Sequence, residues 1–283
     1  MRDAAPVREA SGIERFLAMG TRVELHRFGP GDADALARAR RAIEAVDDAL
    51  TIHRPSPATA LNEVLRNGGT ARINDPLLLD ALLRIAAGRA MTDGLFDPAA
   101  QVGRADAGWQ ALHIDARAAT VASDRPVALD FGGFGKGYAL DRAAAALRDA
   151  GVTCALLSAG ESSISVVGEH PLGGAWSFAI PDPRSADRTL AEVDLVDEAL
   201  SVSSTLGAGA LAPGRAATVR PMDGVAIRAP RTAVAVDRRG AVAEMLSTAL
   251  IIADDRQARC LQANGRRMIF ELAHDACDGM VTE

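Results

Sequence analysis

Lys136 is the only lysine among the 31 basic residues of the chain, and it stands in the run Leu129-Asp130-Phe131-Gly132-Gly133-Phe134-Gly135-Lys136-Gly137-Tyr138-Ala139. Four of the six positions from 132 to 137 are glycine. Lacking Cβ atoms, they let backbone N–H groups approach a ligand closely, and the helix that should start just beyond them favours negative charge. A phosphate is the natural guest. Lys136 then supplies a compact cation where the planar fork of arginine does not fit, with Asp130 immediately before the glycines. The other reading is a glycine-rich turn bearing a solvated lysine. Two nucleotide fingerprints are excluded: no glycine lies five positions before Gly135, Gly137 occupies the Ser or Thr place of a P-loop, and the spacing does not give GxGxxG.

A second set is Glu244, Ser247 and Thr248, whose spacings of three and four place their oxygens on one face of a helix otherwise occupied by Met245, Leu246, Ala249 and Leu250. A carboxylate converging with hydroxyls suits Mg²⁺, which takes further ligands from substrate phosphates and water. Hydroxyls bonding back to their own helix carbonyls are the alternative.

These residues need elements to carry them. Thr21 to Phe28 alternates as a strand and stops at Gly29-Pro30-Gly31; Asp32 to Leu50 has helical apolar spacing; a loop with Pro55 and Pro57 follows. Leu77 to Ala90 reads as a helix after Asn74-Asp75-Pro76, and short strands are expected at 112–114, 120–122 and 127–129. Tyr138 to Ala150 is a strong helix ended by Gly151. Strand candidates dominate from Val152 to Val236, then helices at 241–253 and 255–263 and a closing strand at 268–272. Without regular βαβ alternation the class is α+β: one domain of largely antiparallel sheets and packed helices over residues 18–283, after an N-terminal extension at 1–17.

Composition limits the partners. At 283 residues and 48% hydrophobic content the chain can bury a core unaided, and no apolar run reaches the roughly 18 residues that insertion in a membrane requires. Net charge is −6 and the basic residues are scattered, which argues against nucleic acid. Cys154, Cys260 and Cys277 are odd in number and form no CxxC pair, so neither a disulfide framework nor a zinc site is indicated. With no secretory pattern between Met1 and Met19, the cytoplasm is the expected location.

Five ordered stretches together resemble the ApbE-type FAD:protein FMN transferase family. They are Met19-Gly20-Thr21, Thr51 to Asn62 with Arg54-Pro55 and Leu61-Asn62, Gly94 to Pro98, Asp130 to Asp141 as the closest match, and Ala243 to Leu250, where the family usually has Asp in place of Glu244. Val152 to Gly168 is similar to the strand-turn-strand that contacts flavin. The resemblance implies an ApbE-like fold and Mg²⁺-dependent transfer of FMN from FAD to a Ser or Thr of an acceptor flavoprotein, with AMP released. It implies FAD contacts at Met19, His53, Leu95, Phe96, Asp97, Asp130 and Lys136, catalytic roles for Lys136 and Asp130, and metal binding by the Gly133 carbonyl with Glu244, Ser247 and Thr248.

Departures from the pattern bear on the chemistry. His53 falls where the family has an aromatic ring. In Ala217-Thr218-Val219-Arg220-Pro221-Met222-Asp223-Gly224, which aligns with the family's His-x-x-Asp-Pro-x-Thr-Gly, Ala217 replaces His and Arg220 replaces Asp. The His is the natural general base for the incoming hydroxyl, and Ala accepts no proton. His170 and His274 are other imidazoles in the chain. Two further readings therefore stand beside the transferase: a degenerate homologue that holds FAD as a flavin carrier, and an FAD pyrophosphatase that uses water as acceptor.

Overall fold

The structure is a computed structural model that describes residues 10–100, 108–206 and 218–272. In chain order its elements are β1 (Gly12–Ala18), β2 (Thr21–Arg27), α1 (Ala35–Leu50), α2 (Pro57–Arg66), β3 (Thr70–Arg72), α3 (Pro76–Met91), β4 (Leu112–Asp115), β5 (Thr120–Ser123), α4 (Gly135–Asp149), β6 (Ala155–Ala159) and β7 (Ser163–Val167). They continue as β8 (Trp176–Asp182), β9 (Ser185–Leu195), β10 (Ala199–Ser204), β11 (Val219–Arg220), β12 (Val225–Ala226), β13 (Arg231–Asp237), α5 (Gly240–Ile252), α6 (Asp255–Gln262) and β14 (Arg267–Glu271).

Seven strands form the main sheet in the order β1-β2-β6-β7-β10-β13-β14, every neighbouring pair antiparallel. Alternation along the strands assigns its two faces. In β13, Val234 and Val236 join Val166, Leu200, Trp176 and Leu195 in one apolar cluster under the β8–β9 hairpin. Ala233 and Ala235 point the other way, into the larger core shared with α1, α3, α4 and α5. On that second face β7 and β10 place serines: Ser163 hydrogen-bonds Glu244, and Ser201 and Ser203 hydrogen-bond Ser247. A helix-bearing face made of Ser and Ala leaves room for a close approach. Every residue of α5 except Thr248 is buried, so this helix runs as the central rod between sheet and outer helices.

Two glycines set the crossing of α4 and α5. A Cβ on Gly137 would lie 2.2 Å from the carbonyl oxygen of Gly240, so any larger residue forces the helices apart. Asp141, one turn further along α4, accepts hydrogen bonds from the N–H groups of Gly240 and Ala241 at 2.6 and 3.0 Å and so caps α5.

The α+β reading with antiparallel sheets holds, and three local expectations are corrected. Pro57 does not continue a loop but begins α2: Ser56 and Thr59 form a reciprocal capping box, and proline at the first helical position gives up no hydrogen bond. The stretch 127–129 joins no sheet, because both the N–H and the carbonyl of Leu129 are bonded to the side chain of Asn62. The boundary expected after residue 17 falls inside β1, whose residues from Gly12 onward pair with β2. Among the described residues no helix is long and apolar enough to cross a membrane.

Candidate active site

The glycine turn is held from both ends. Asn62, 2% exposed on α2, accepts the Leu129 N–H at 2.8 Å and donates to its carbonyl at 2.9 Å. Asp130 then donates its own N–H to the Pro98 carbonyl at 2.8 Å, while its carboxylate accepts the Gly132 N–H at 2.8 Å and tightens the bend. Phe131 and Phe134 are buried, and the N–H groups of Phe134 and Gly135 both bond the Phe131 carbonyl as the chain winds into α4. Asn62 carries no charge and attracted no role from residue type alone. Its burial is the signal that separates it from surface amides.

Lys136 leaves the first turn of α4 with its side chain 24% exposed, donates to Ser162 Oγ at 3.1 Å and sits 3.4 Å from Glu244 Oε1. Glu244, 4% exposed, accepts from Ser163 Oγ at 2.6 Å through the same oxygen. Its other oxygen, Oε2, is buried with no hydrogen-bond partner. An unpartnered buried carboxylate oxygen is expensive unless a cation completes it. Thr248, one turn along α5, meets the glycine turn: a Cβ on Gly133 would come within 3.0 Å of Thr248 Oγ1 and 3.1 Å of the Phe96 ring.

The fold therefore brings together Gly133, Lys136, Glu244, Thr248 and Phe96. Met19 joins them. It takes a left-handed φ of 54°, donates its N–H to Asp47, and its terminal methyl lies 2.7 Å from where a Cβ on Gly135 would be. Ser247 plays a different part from Thr248, since its hydroxyl is fully engaged with Ser201, Ser203 and the Glu244 carbonyl and ties α5 to β10. Leu95 and Phe96 are both buried. The Asp97 carboxylate is turned inward, receiving N–H bonds from Ala99, Trp109 and Arg89, and burial pushes its pKa up against the opposing Arg89 charge. Its work is to fix the 94–98 loop that holds Phe96 at Gly133. His53 is exposed before α2, and its backbone N–H donates to Thr51 Oγ1.

Other residues raised by the sequence stand apart. His170 packs edge-on against Trp176, a residue of the β8–β9 hairpin on the opposite face of the sheet. Arg220 is paired with Asp223 at 2.7 Å. Ala217 and His274 lie outside the described residues.

Among the described residues no three His, Cys, Asp or Glu side chains cluster as a metal site. The donors on offer are one carboxylate, one hydroxyl and a carbonyl, all hard oxygens. That set suits a hard divalent cation whose remaining positions go to water and phosphate, and Glu244 Oε2 is the oxygen without a partner. With Lys136 and the glycine turn on one side and these oxygens on the other, the arrangement can grip a pyrophosphate from two directions.

The sequence profile of the ApbE family matches residues 101–270, more than half of the chain. A curated relative, the FAD:protein FMN transferase of Rhodobacter capsulatus, is 31% identical over 208 residues, covering 63% of this chain; the chain spans only 38% of that relative's length. Among solved structures, the flavinyl transferase ApbE of Pseudomonas stutzeri in its apo form superposes with a TM-score of 0.77 at 21% identity, covering 93% of this chain and 92% of that one. The ApbE protein of Thermotoga maritima gives 0.73 at 19% identity over 88% and 89% of the two chains. The flavin transferase ApbE of Vibrio cholerae gives 0.72 at 20% identity over 92% of each. The fold is thus that of these proteins, and the chain belongs to the ApbE family.

Proposed function

We propose that the chain is an Mg²⁺-dependent FAD:protein FMN transferase that moves the FMN part of FAD onto a Ser or Thr hydroxyl of another protein. In this step the acceptor oxygen forms a bond to the FMN phosphorus, the bond from that phosphorus to the bridging oxygen breaks, and AMP departs with the bridging oxygen. The acceptor proton must go to a base or to water. Family membership and the activity named for the Rhodobacter relative support the reaction class.

The observation that carries the reading is Glu244: one oxygen 3.4 Å from the Lys136 ammonium, the other buried and unpartnered, one helical turn before Thr248. Glu244 and Thr248, with the Gly133 carbonyl, would hold Mg²⁺, which when bound neutralises charge on the pyrophosphate oxygens. Lys136 and the N–H groups of the glycine turn bind and orient the same pyrophosphate and stabilise the charge that develops as the bond breaks. Asp130 acts by holding the bend of that turn. Calorimetry tests the metal site: Mg²⁺ is expected to bind more tightly with FAD present, and Glu244→Ala to lose that gain, whereas equal affinity in both proteins would make α5 a core helix only.

One sequence feature favours a second reading. With Ala217 in place of the family's His, the general base for the acceptor is missing from that position, and a protein that holds FAD, or hydrolyses it with water, is the outcome if no other group serves.

A further inference from the structure

On the side of α4 away from Lys136 lies a cleft of about 240 Å³ that none of the proposed FAD or metal residues lines. Its walls carry Arg84, Arg142, Arg148, Arg238 and Arg239, and Ser165 is in its lining. We propose that this cleft is a separate anion site that takes a phosphate-bearing small molecule.

Three features support the assignment. The first is the unspent positive charge. Arg84 and Arg148 are anchored, by Asp80 at 2.7 Å and Asp197 at 3.0 Å, and Arg239 reaches Asp237 only at 4.0 Å. Arg142 and Arg238 are exposed and make no ion pair among the described residues. The two carboxylates in the lining do not cancel this charge: Glu198 is paired with Arg266, and Asp141 is bonded to the N–H groups that open α5. The second is the orphaned hydroxyl. Ser165 is 4% exposed and its Oγ has no hydrogen-bond partner; two positions after Ser163 on β7, it shares the helix-facing side of the sheet. The third is geometry. The guanidinium groups come from three places, α3, α4 and the turn between β13 and α5, so they surround the cleft instead of lining one edge of it. Forked donors arriving from several directions match the tetrahedral oxygens of a phosphate better than the flat pair of a carboxylate. This inference does not depend on the transferase reading.

The test is titration calorimetry in chloride buffer with inorganic phosphate in one arm and AMP in the other, using Lys136→Ala to weaken the glycine turn's share, and reading the cleft's own share from substitutions made in the cleft alone. Saturable binding is expected, weakened at least about tenfold by Arg142→Ala with Arg238→Ala and more mildly by Ser165→Ala. Both arginines are exposed, so the doubly substituted chain should keep its far-ultraviolet circular dichroism. Tighter binding of AMP than of phosphate would identify a nucleotide monophosphate as the ligand class, and equal binding a free phosphate group. Failure of both probes to saturate, or binding that the paired substitution leaves unchanged, would overturn the proposal.

Discussion

Lys136 sits between a hydroxyl and a carboxylate, with Ser162 at 3.1 Å and Glu244 at 3.4 Å, in a slot that suits a compact charge. Lys136→Ala should lower FAD affinity by an amount worth about 1.5–3 kcal/mol, read by flavin fluorescence titration. Lys136→Arg should recover only part of that loss; full recovery would mean that the compact shape of lysine is irrelevant. Asp141 gives a prediction in pH. Burial pushes its carboxyl up to about 6, against the helping N–H groups of Ala241 and Gly240. A carboxyl that holds its proton more tightly in the fold favours folding most below its unfolded pKa near 4, and that benefit is lost as pH rises through about 6. Urea midpoints between pH 4 and 7 should therefore fall more steeply for the unsubstituted chain than for Asp141→Asn, the difference amounting to ~2–3 kcal/mol. Parallel profiles would show that Asp141 keeps an ordinary carboxyl pKa.

At the scale of elements, the junction of α4 and α5 carries the account. A Cβ at Gly137 would meet the Gly240 carbonyl at 2.2 Å, so Gly137→Ala should destabilise the chain by about 1–3 kcal/mol and separate Lys136 from Glu244, seen as a lower thermal midpoint together with weaker FAD binding. Asn62→Ala leaves the Leu129 N–H and carbonyl buried and unpaired, at a cost of about 2–4 kcal/mol, and should loosen the glycine turn as well. Most helices and strands were legible in the sequence, because α1, α3 and α4 have apolar spacing with clear start or stop signals. The misses share a cause. Pro57 reads as a breaker until Ser56 and Thr59 are seen to cap it, and the 127–129 stretch alternates like a strand although a single side chain from α2 takes its hydrogen bonds. For the site, residue type and helical spacing singled out Lys136, Glu244 and Thr248. The same spacing gave Ser247 equal standing, and only the serines of β10 across from it show that its hydroxyl is already engaged. Asp97 is similar: the family resemblance implies a ligand contact, while its inward bonds to Ala99, Trp109 and Arg89 come from chain neighbours that fold back on it.

For the whole molecule, the main sheet works as a platform with two different faces. Valine, leucine and tryptophan glue the β8–β9 hairpin to one, while serine and alanine on the other admit α4 and α5 closely enough for Lys136 and Glu244 to meet. On the transferase reading, FAD binding rests on that platform, and Ala217, where the family pattern has His, leaves the acceptor without that imidazole. FAD binding and transfer should therefore separate, with transfer slower by roughly the 10²- to 10⁴-fold that a missing general base brings. Ala217→His with Arg220→Asp, which also breaks the Arg220–Asp223 pair, should raise transfer while leaving FAD affinity nearly unchanged. If the substitutions bring no gain to a chain that already transfers FMN, another group is the base. The most direct measurement is mass spectrometry of a Thr-bearing acceptor peptide incubated with the chain, FAD and Mg²⁺, with AMP quantified in the same reaction. The expected result is the mass of one FMN added per acceptor and one AMP released for each, both lost in Lys136→Ala and Glu244→Ala; AMP accompanied only by free FMN, or FAD left intact, would contradict the account.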